Sequence, residues 1–140
     1  MKIPDLKKIE IDWDSNPSIL LSEEDHLLRR FGFMEWISLE PDNKKLFRIR
    51  GEADEIMIAM RGEVQAHAID VRLGSPTYGA EEQVILSRTK GGGLLLPFGI
   101  AYGVSAPQSA QALRISTHTN DSHAADRRLT AVEIESLLNA

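Results

Sequence analysis

Two arginines, a glutamate and a tyrosine have the side-chain types needed to bind an anion and to move a proton. Arg48 and Arg50 alternate with Ile49, so on a strand both arginine side chains lie on one face. On an interior face, two guanidinium groups would attract a diphosphate or carboxylate and repel a divalent metal; on a solvent face they would be hydrated. Inside a barrel, Glu55 could act as a base and Tyr102 as an acid. The alternative is structural: Glu55 pairs with Arg48 or Arg50, and packing partners satisfy the Tyr102 hydroxyl.

Short apolar runs must position these side chains. From Phe31 onward, apolar runs alternate with Gly, Pro, Asn and Asp, which is the pattern of strands joined by turns. The predicted strands are GFMEWISLE, LFRIR, EIMIAM, EVQAHAIDVR, EQVILS, GLLLP and ALRIST. Their number and spacing indicate an all-β sandwich or barrel.

Glycines mark two of the predicted turns. The strands on either side of Gly62 are expected to form an antiparallel hairpin, because glycine readily takes the positive φ of such a turn. The run Gly91-Gly92-Gly93 lacks the Lys, the Ser or Thr and the helix of a phosphate-binding loop. We therefore interpret it as a second hairpin turn.

The two ends of the chain differ in how clearly they can be interpreted. Thr130 and Glu133 have capping-box spacing ahead of apolar residues, which predicts a short C-terminal helix. The polar stretch 120–128 before it is predicted to be a loop. The segment SILLSEEDHLLRRF, residues 18–31, fits a short amphipathic helix as well as a strand followed by a loop.

Composition excludes several classes of function. The chain has 140 residues and a net charge of −5, with no basic stripe, so nucleic acid is not an expected partner. It contains no cysteine, and its four histidines lack the spacing of a metal site. The N-terminus is too charged for a signal peptide, and no apolar run is long enough for a membrane helix. We expect a single cytoplasmic domain, residues 1–140, with no metal, cofactor or membrane partner.

Two groups of residues resemble the paired motifs of the cupin superfamily. The first consists of Arg48, Arg50, Glu55 and Gly62, and the second of Gly91, Pro97, Gly99 and Tyr102. Metal-binding cupins typically have His, His, Glu and His at the positions of Arg48, Arg50, Glu55 and Tyr102, so this chain keeps only the glutamate. The resemblance implies a cupin jelly-roll barrel, a double-stranded β-helix, with the short helix added at its end.

Within the cupins, residues 46–120 resemble the dTDP-4-dehydrorhamnose 3,5-epimerase family of nucleotide-sugar enzymes. The matching segments are EIMIAMRGEVQAHAIDVRLGSPTYG and LPFGIAYG. DVRLGSPTYG, residues 70–79, is the most specific of them. Its Asp70 and Arg72 are predicted to hydrogen-bond and to tie a connection between two strands, an architectural role favoured over a catalytic one.

The family resemblance implies a metal-independent epimerase or isomerase acting on a nucleotide-linked, dTDP-type keto-deoxysugar in carbohydrate biosynthesis, and a homodimer. The catalytic His, Lys and Tyr of the family are not retained. Glu55 stands at the position of the Lys, and His118 lies beside that of the Tyr, which makes His118 a further candidate proton carrier. Arg48 and Arg50 are the predicted substrate-binding residues. The alternative function is a non-catalytic cupin that binds a sugar, a nucleotide-sugar or an assembly partner.

Overall fold

The computed structural model describes residues 1–42 and 45–140, and these residues contain ten strands. The strands are β1 (Lys7–Glu10), β2 (Phe33–Leu39), β3 (Phe47–Ile49), β4 (Glu55–Arg61), β5 (Val64–Asp70), β6 (Glu81–Leu86), β7 (Gly92–Leu96), β8 (Ile100–Ser105), β9 (Ala110–Ser116) and β10 (Arg127–Leu129). A 3-10 turn occupies Glu23–Asp25, and helix α1 spans Ala131–Leu138.

The strands form two antiparallel five-stranded sheets. The first sheet has the order β1-β7-β4-β9-β2 and the second the order β10-β3-β8-β5-β6. From β2 to β10, every connection passes from one sheet to the other except that between β5 and β6. This alternation is the topology of a jelly roll, and it confirms the all-β barrel predicted from the sequence.

Apolar residues form three layers, one between the two sheets and one on the outer face of each sheet. Met57 and Ala59 of β4 point into the space between the sheets, whereas Ile56 and Ile58 of the same strand point outward. The N-terminal segment covers that outer face with Trp13, Leu20, Leu21, Leu27 and Leu28. Helix α1 covers the outer face of the second sheet and buries Ile134 there.

The two predicted hairpins are wrong, although their glycines do make turns. Gly62 has a φ of +77°, but β4 and β5 belong to different sheets, so the chain crosses the barrel at this turn. Each of these strands is already flanked by two other partners. Gly91 also has a positive φ, yet it joins β6 to β7 across the two sheets. The short connections at Gly62 and Gly91 therefore join strands of different sheets, and the strands that they join do not pair with each other.

The chain ends agree only in part with the predictions. Helix α1 and its capping box between Thr130 and Glu133 are confirmed. The predicted loop 120–128 is wrong at its end, because Arg127 and Arg128 already belong to β10. Residues 18–31 form neither a helix nor a strand beyond the 3-10 turn. The helix α1, with 8 residues, is too short to traverse a lipid bilayer.

The connection from β5 to β6 is organised by one buried carboxylate. Asp70 accepts hydrogen bonds from the Arg72 side chain at 2.9 Å, from Ser75 Oγ at 2.7 Å and from Thr77 Oγ1 at 2.6 Å. Burial alone would raise the pKa of Asp70, but these donors outweigh it and hold the pKa well below its usual range. The predicted bond between Asp70 and Arg72 is confirmed, and its geometry is that of a structural tie.

We expect Asp70→Asn to lower the free energy of unfolding by about 2–3 kcal/mol, because an amide cannot accept all of these bonds. The depressed pKa means that Asp70 stabilises the fold fully above about pH 4 and progressively less below it. The difference between wild type and variant should therefore shrink as the pH falls from 4. Urea denaturation at several pH values measures it.

Asp121→Asn is the matched control. Asp121 is exposed and has a φ of +56°, a conformation that asparagine tolerates well. If Asp70→Asn and Asp121→Asn lowered the free energy of unfolding equally, the structural role of the Asp70 hydrogen bonds would be contradicted.

Candidate functional site

Glu55 lies between the two sheets with both carboxylate oxygens occupied. Its Oε2 accepts a 2.7 Å hydrogen bond from Arg50 Nη1, and its Oε1 accepts one from the Tyr102 hydroxyl. Arg48 Nε lies 3.7 Å from the same Oε1. Glu55 is 1% exposed. The structure therefore brings together four of the five predicted site residues, in the ion-paired arrangement that was one of the two alternatives.

The strands explain why these side chains meet. Arg48 of β3 and Tyr102 of β8 are directly opposite in the antiparallel register of the second sheet. Glu55 begins β4 and approaches them from the first sheet. Phe47 and Ile49 point the other way and pack with the residues of α1. Of the two faces considered for the arginines, the structure has the interior one.

Tyr102 remains a protonated phenol in this environment. Burial raises its pKa well above the ordinary value, and the negative charge of Glu55 raises it further. Arg48 and Arg50 act in the opposite direction without reversing the shift. The hydroxyl is therefore a hydrogen-bond donor to Glu55 at neutral pH.

Arg50 connects Glu55 to the loop after β9. Its Nη2 donates to the carbonyl oxygen of Thr119 at 2.6 Å and approaches that of His118 at 3.4 Å. Its Nε lies 3.5 Å from Asp126 Oδ1, which also accepts a 2.8 Å bond from the Gly51 amide. Arg50 thus holds residues 118–126 against the end of the barrel.

A cavity of about 220 Å³ opens beside Tyr102. We call it the arginine cavity; its lining residues are Ile37, Leu39, Leu46, Arg48, Tyr102, Gly103, Val104, Arg114 and Arg128. Arg128 of β10 pairs directly across from Arg48 of β3, and like charges in such a pair repel. Burial and then the charge of Arg128 lower the pKa of Arg114 to about 10. The three arginines therefore form a site that an anion would stabilise.

Arg114 and Arg128 are binding candidates that the sequence analysis missed. Arg114 pairs with Glu35 of the neighbouring strand β2, but its buried Nε has no hydrogen-bond partner in the described part of the chain. A signal was present: Arg114 interrupts the apolar run of β9. Arg128 gave none, because it lies in a polar stretch.

His118 is buried but turned away from this cavity. Its Nδ1 lies 2.8 Å from Thr117 Oγ1 and its Nε2 lies 3.8 Å from Glu52 Oε1. Only its backbone carbonyl approaches Arg50. The structure therefore separates the His118 ring from the Glu55 cluster, and its role as a proton carrier stays a prediction.

Other parts of the surface offer less chemistry. An open groove of about 610 Å³ runs between β1 and β6 and includes Lys8, Glu10 and Glu82, but none of the predicted site residues. In residues 1–42 and 45–140, no group of three or more His, Asp or Glu side chains is arranged to hold a metal ion. We therefore place the candidate site at the arginine cavity.

Comparison with known families decides what kind of protein this is. A family model described as dTDP-4-dehydrorhamnose 3,5-epimerase matches residues 48–133. The chain belongs to this family. The match includes Glu55, Tyr102 and all three arginines of the cavity, and it confirms the resemblance seen in the sequence. A comparison with curated proteins found none that matches.

Solved structures of the epimerase family have the same fold. A dTDP sugar isomerase from Desulfovibrio desulfuricans G20 is 19% identical, with a TM-score of 0.79 over 91% of this chain and 85% of that one. The dTDP-4-dehydrorhamnose 3,5-epimerase from Sulfolobus tokodaii is 21% identical, with a TM-score of 0.73 over 91% and 77%. These similarities confirm the cupin barrel.

A third structure carries a ligand. The 3,5-epimerase from Legionella pneumophila Philadelphia 1, in complex with dTDP-4-keto-L-rhamnose, is 21% identical. Its TM-score is 0.67 over 81% of this chain and 66% of that one.

The role of Arg50 in this epimerase-family chain gives a testable prediction. Arg50→Lys should lower the free energy of unfolding by about 3 kcal/mol, because one ammonium group cannot replace the bonds to Glu55 and to two carbonyl groups. Backbone amides in residues 118–126 should exchange faster with deuterium, as measured by mass spectrometry.

Arg61→Lys at the exposed end of β4 is the control and should change neither quantity. Unchanged exchange in residues 118–126 of the Arg50 variant would show that the loop is held by other contacts.

Proposed function

We propose that the chain binds a nucleotide-linked, dTDP-type keto-deoxysugar in the arginine cavity and converts it as a metal-independent epimerase or isomerase. The observation that carries the proposal is the joint placement of three arginines and the Tyr102 to Glu55 hydrogen bond at one cavity. The membership of the chain in the epimerase family supports the class of substrate.

The charge of the cavity fits the diphosphate of such a ligand. Arg48, Arg114 and Arg128 come from three strands, and an anion would offset the repulsion between Arg128 and the other two. Guanidinium groups bind phosphate oxygens through paired hydrogen bonds. A volume of about 220 Å³ is below the usual range for a drug-sized ligand, so the sugar and its adjacent phosphate would occupy the cavity and leave the nucleoside outside.

The chemistry needs a group that moves a proton beside the ketone and a group that stabilises the resulting enolate. Tyr102 lines the cavity and donates to Glu55, which supplies an acid-base pair. Arg48 lies in the same wall and can stabilise the negative oxygen of the enolate. The ketone itself makes the neighbouring C–H acidic, so the reaction needs no redox cofactor.

A binding protein without catalysis is the second candidate. It is favoured by the saturation of Glu55, whose two oxygens already accept bonds from Arg50 and Tyr102. In this case the ion pairs would hold the fold together, and the cavity would retain a nucleotide-sugar unchanged. The homodimer and the cytoplasmic location expected from the sequence stay predictions under both functions.

One experiment separates the two functions. The purified protein is mixed with a dTDP-4-keto-6-deoxyhexose in D₂O, and proton NMR follows the ring protons beside the ketone. Loss of a ring-proton signal to deuterium would support an enzyme, whereas shifted signals without exchange would support a binding protein. No thermal shift and no binding heat with saturating ligand would remove both.

Arg128 provides a test of the binding site itself. Arg128→Gln should weaken the binding of dTDP about 10–100-fold, as measured by calorimetry, because one charge-assisted hydrogen bond is lost. Arg127→Gln is the matched control, since Arg127 is the adjacent residue of β10 and lies outside the cavity lining. Equal affinities of the two variants would place the nucleotide elsewhere.

A further inference from the structure

The lining of the arginine cavity contains very few groups that can exchange a proton. Among the described residues that line it, five have aliphatic side chains or none, and three are arginines, which stay protonated at neutral pH. This includes Arg114, whose lowered pKa of about 10 is still far above 7. Tyr102 is the remaining residue of the lining. Its hydroxyl can both donate and accept a proton.

Glu55 is the hydrogen-bond partner of Tyr102. It does not line the cavity, but its Oε1 accepts the hydrogen bond of the Tyr102 hydroxyl. Arg50 bonds the other oxygen at 2.7 Å, and Arg48 Nε lies 3.7 Å from Oε1. Glu55 Oε1 is therefore placed to accept a proton from the phenol. The phenol does not ionise alone, because burial and the charge of Glu55 raise its pKa.

We infer that Tyr102, with Glu55 as its proton acceptor, is the one proton-transfer group of this site, and that the reaction moves a carbonyl group to the adjacent sugar carbon without inversion. This rests on the proposed function and selects between its two reaction types. Epimerisation needs a base on one face of the sugar and an acid on the other. Among the described lining residues, Tyr102 alone can transfer a proton, so such a group would meet a bound sugar from one side.

The step balances without any further reagent. The Tyr102 oxygen takes the proton of the hydroxyl-bearing carbon next to the ketone, while the phenolic proton passes to Glu55 Oε1. The electron pair of the broken C–H bond forms the double bond of an enediolate, and Arg48 stabilises its oxygen. The proton of the hydroxyl group moves to the former ketone oxygen. The Tyr102 hydroxyl, which borders the open cavity, exchanges its proton with solvent and delivers one from the same face to the former ketone carbon, and Glu55 then returns its proton to Tyr102.

The test uses the two tyrosines of the chain. Tyr102→Phe removes the hydroxyl and leaves the ring and the ion pair between Glu55 and Arg50 in place, so the fold should be kept. Tyr78→Phe is the matched control, because Tyr78 is exposed and lies in the loop between β5 and β6. Each protein is incubated with a dTDP-4-keto-6-deoxyhexose in D₂O, and calorimetry with dTDP measures binding separately.

We expect wild type and Tyr78→Phe to produce a positional ketone isomer with deuterium at the former ketone carbon and no inverted centre. Tyr102→Phe should lose this exchange by about 100-fold or more and bind dTDP as wild type does. Glu55→Gln should also lose exchange, because an amide can accept the hydrogen bond of Tyr102 but not its proton.

Four outcomes overturn the inference. Inversion at either carbon beside the ketone would require a second proton-transfer group, and would leave the proposed enzyme function intact. Exchange that persists in Tyr102→Phe would assign the proton transfer to another residue. Binding of the nucleotide-sugar with no exchange in wild type would leave only the binding function, and no binding at all would remove the proposed function itself.

Discussion

The site depends on the hydrogen bonds that the buried carboxylate of Glu55 accepts from Arg50 and Tyr102. Glu55 belongs to one sheet, and its partners Arg50 and Tyr102 come from the other side of the barrel. A buried carboxylate is costly without such partners, so the sheets must stay in register at this point. Arg50 extends the same constraint to the loop that carries Thr119 and Asp126. The ion pair between Glu55 and Arg50 therefore positions the phenol of Tyr102 and the loop between β9 and β10.

The arginine cavity follows from the same geometry. β10 pairs with β3, which places Arg128 directly opposite Arg48, and β9 brings Arg114 to the same space from the first sheet. A protein gains little stability from three neighbouring guanidinium groups, because their charges repel. A bound anion would offset this repulsion, which supports the proposed nucleotide-sugar ligand.

The segment that matches the family most specifically lies apart from the candidate site in this chain. The loop 70–79, the most specific match to the family, satisfies one carboxylate with Arg72, Ser75 and Thr77 and lies apart from the cavity. The cavity is where the resemblance to the family is weakest, since Glu55 and Tyr102 replace the expected Lys and His. The fold can therefore be retained while the residues at the candidate site differ from those of the family.

The sequence by itself determined the strands with clear alternation, the capped helix α1 and the tie at Asp70, and it named the residues around Glu55 while leaving their arrangement open. These features depend on local patterns or on motif spacing. Only the tertiary structure decided that Gly62 crosses between sheets, that β8 and β10 exist as strands, and that Arg114 and Arg128 meet at one cavity. The reason is physical: a short turn is compatible with pairing in one sheet or with a crossing to another. Which of the two occurs depends on partners distant in the chain, and local sequence does not encode them.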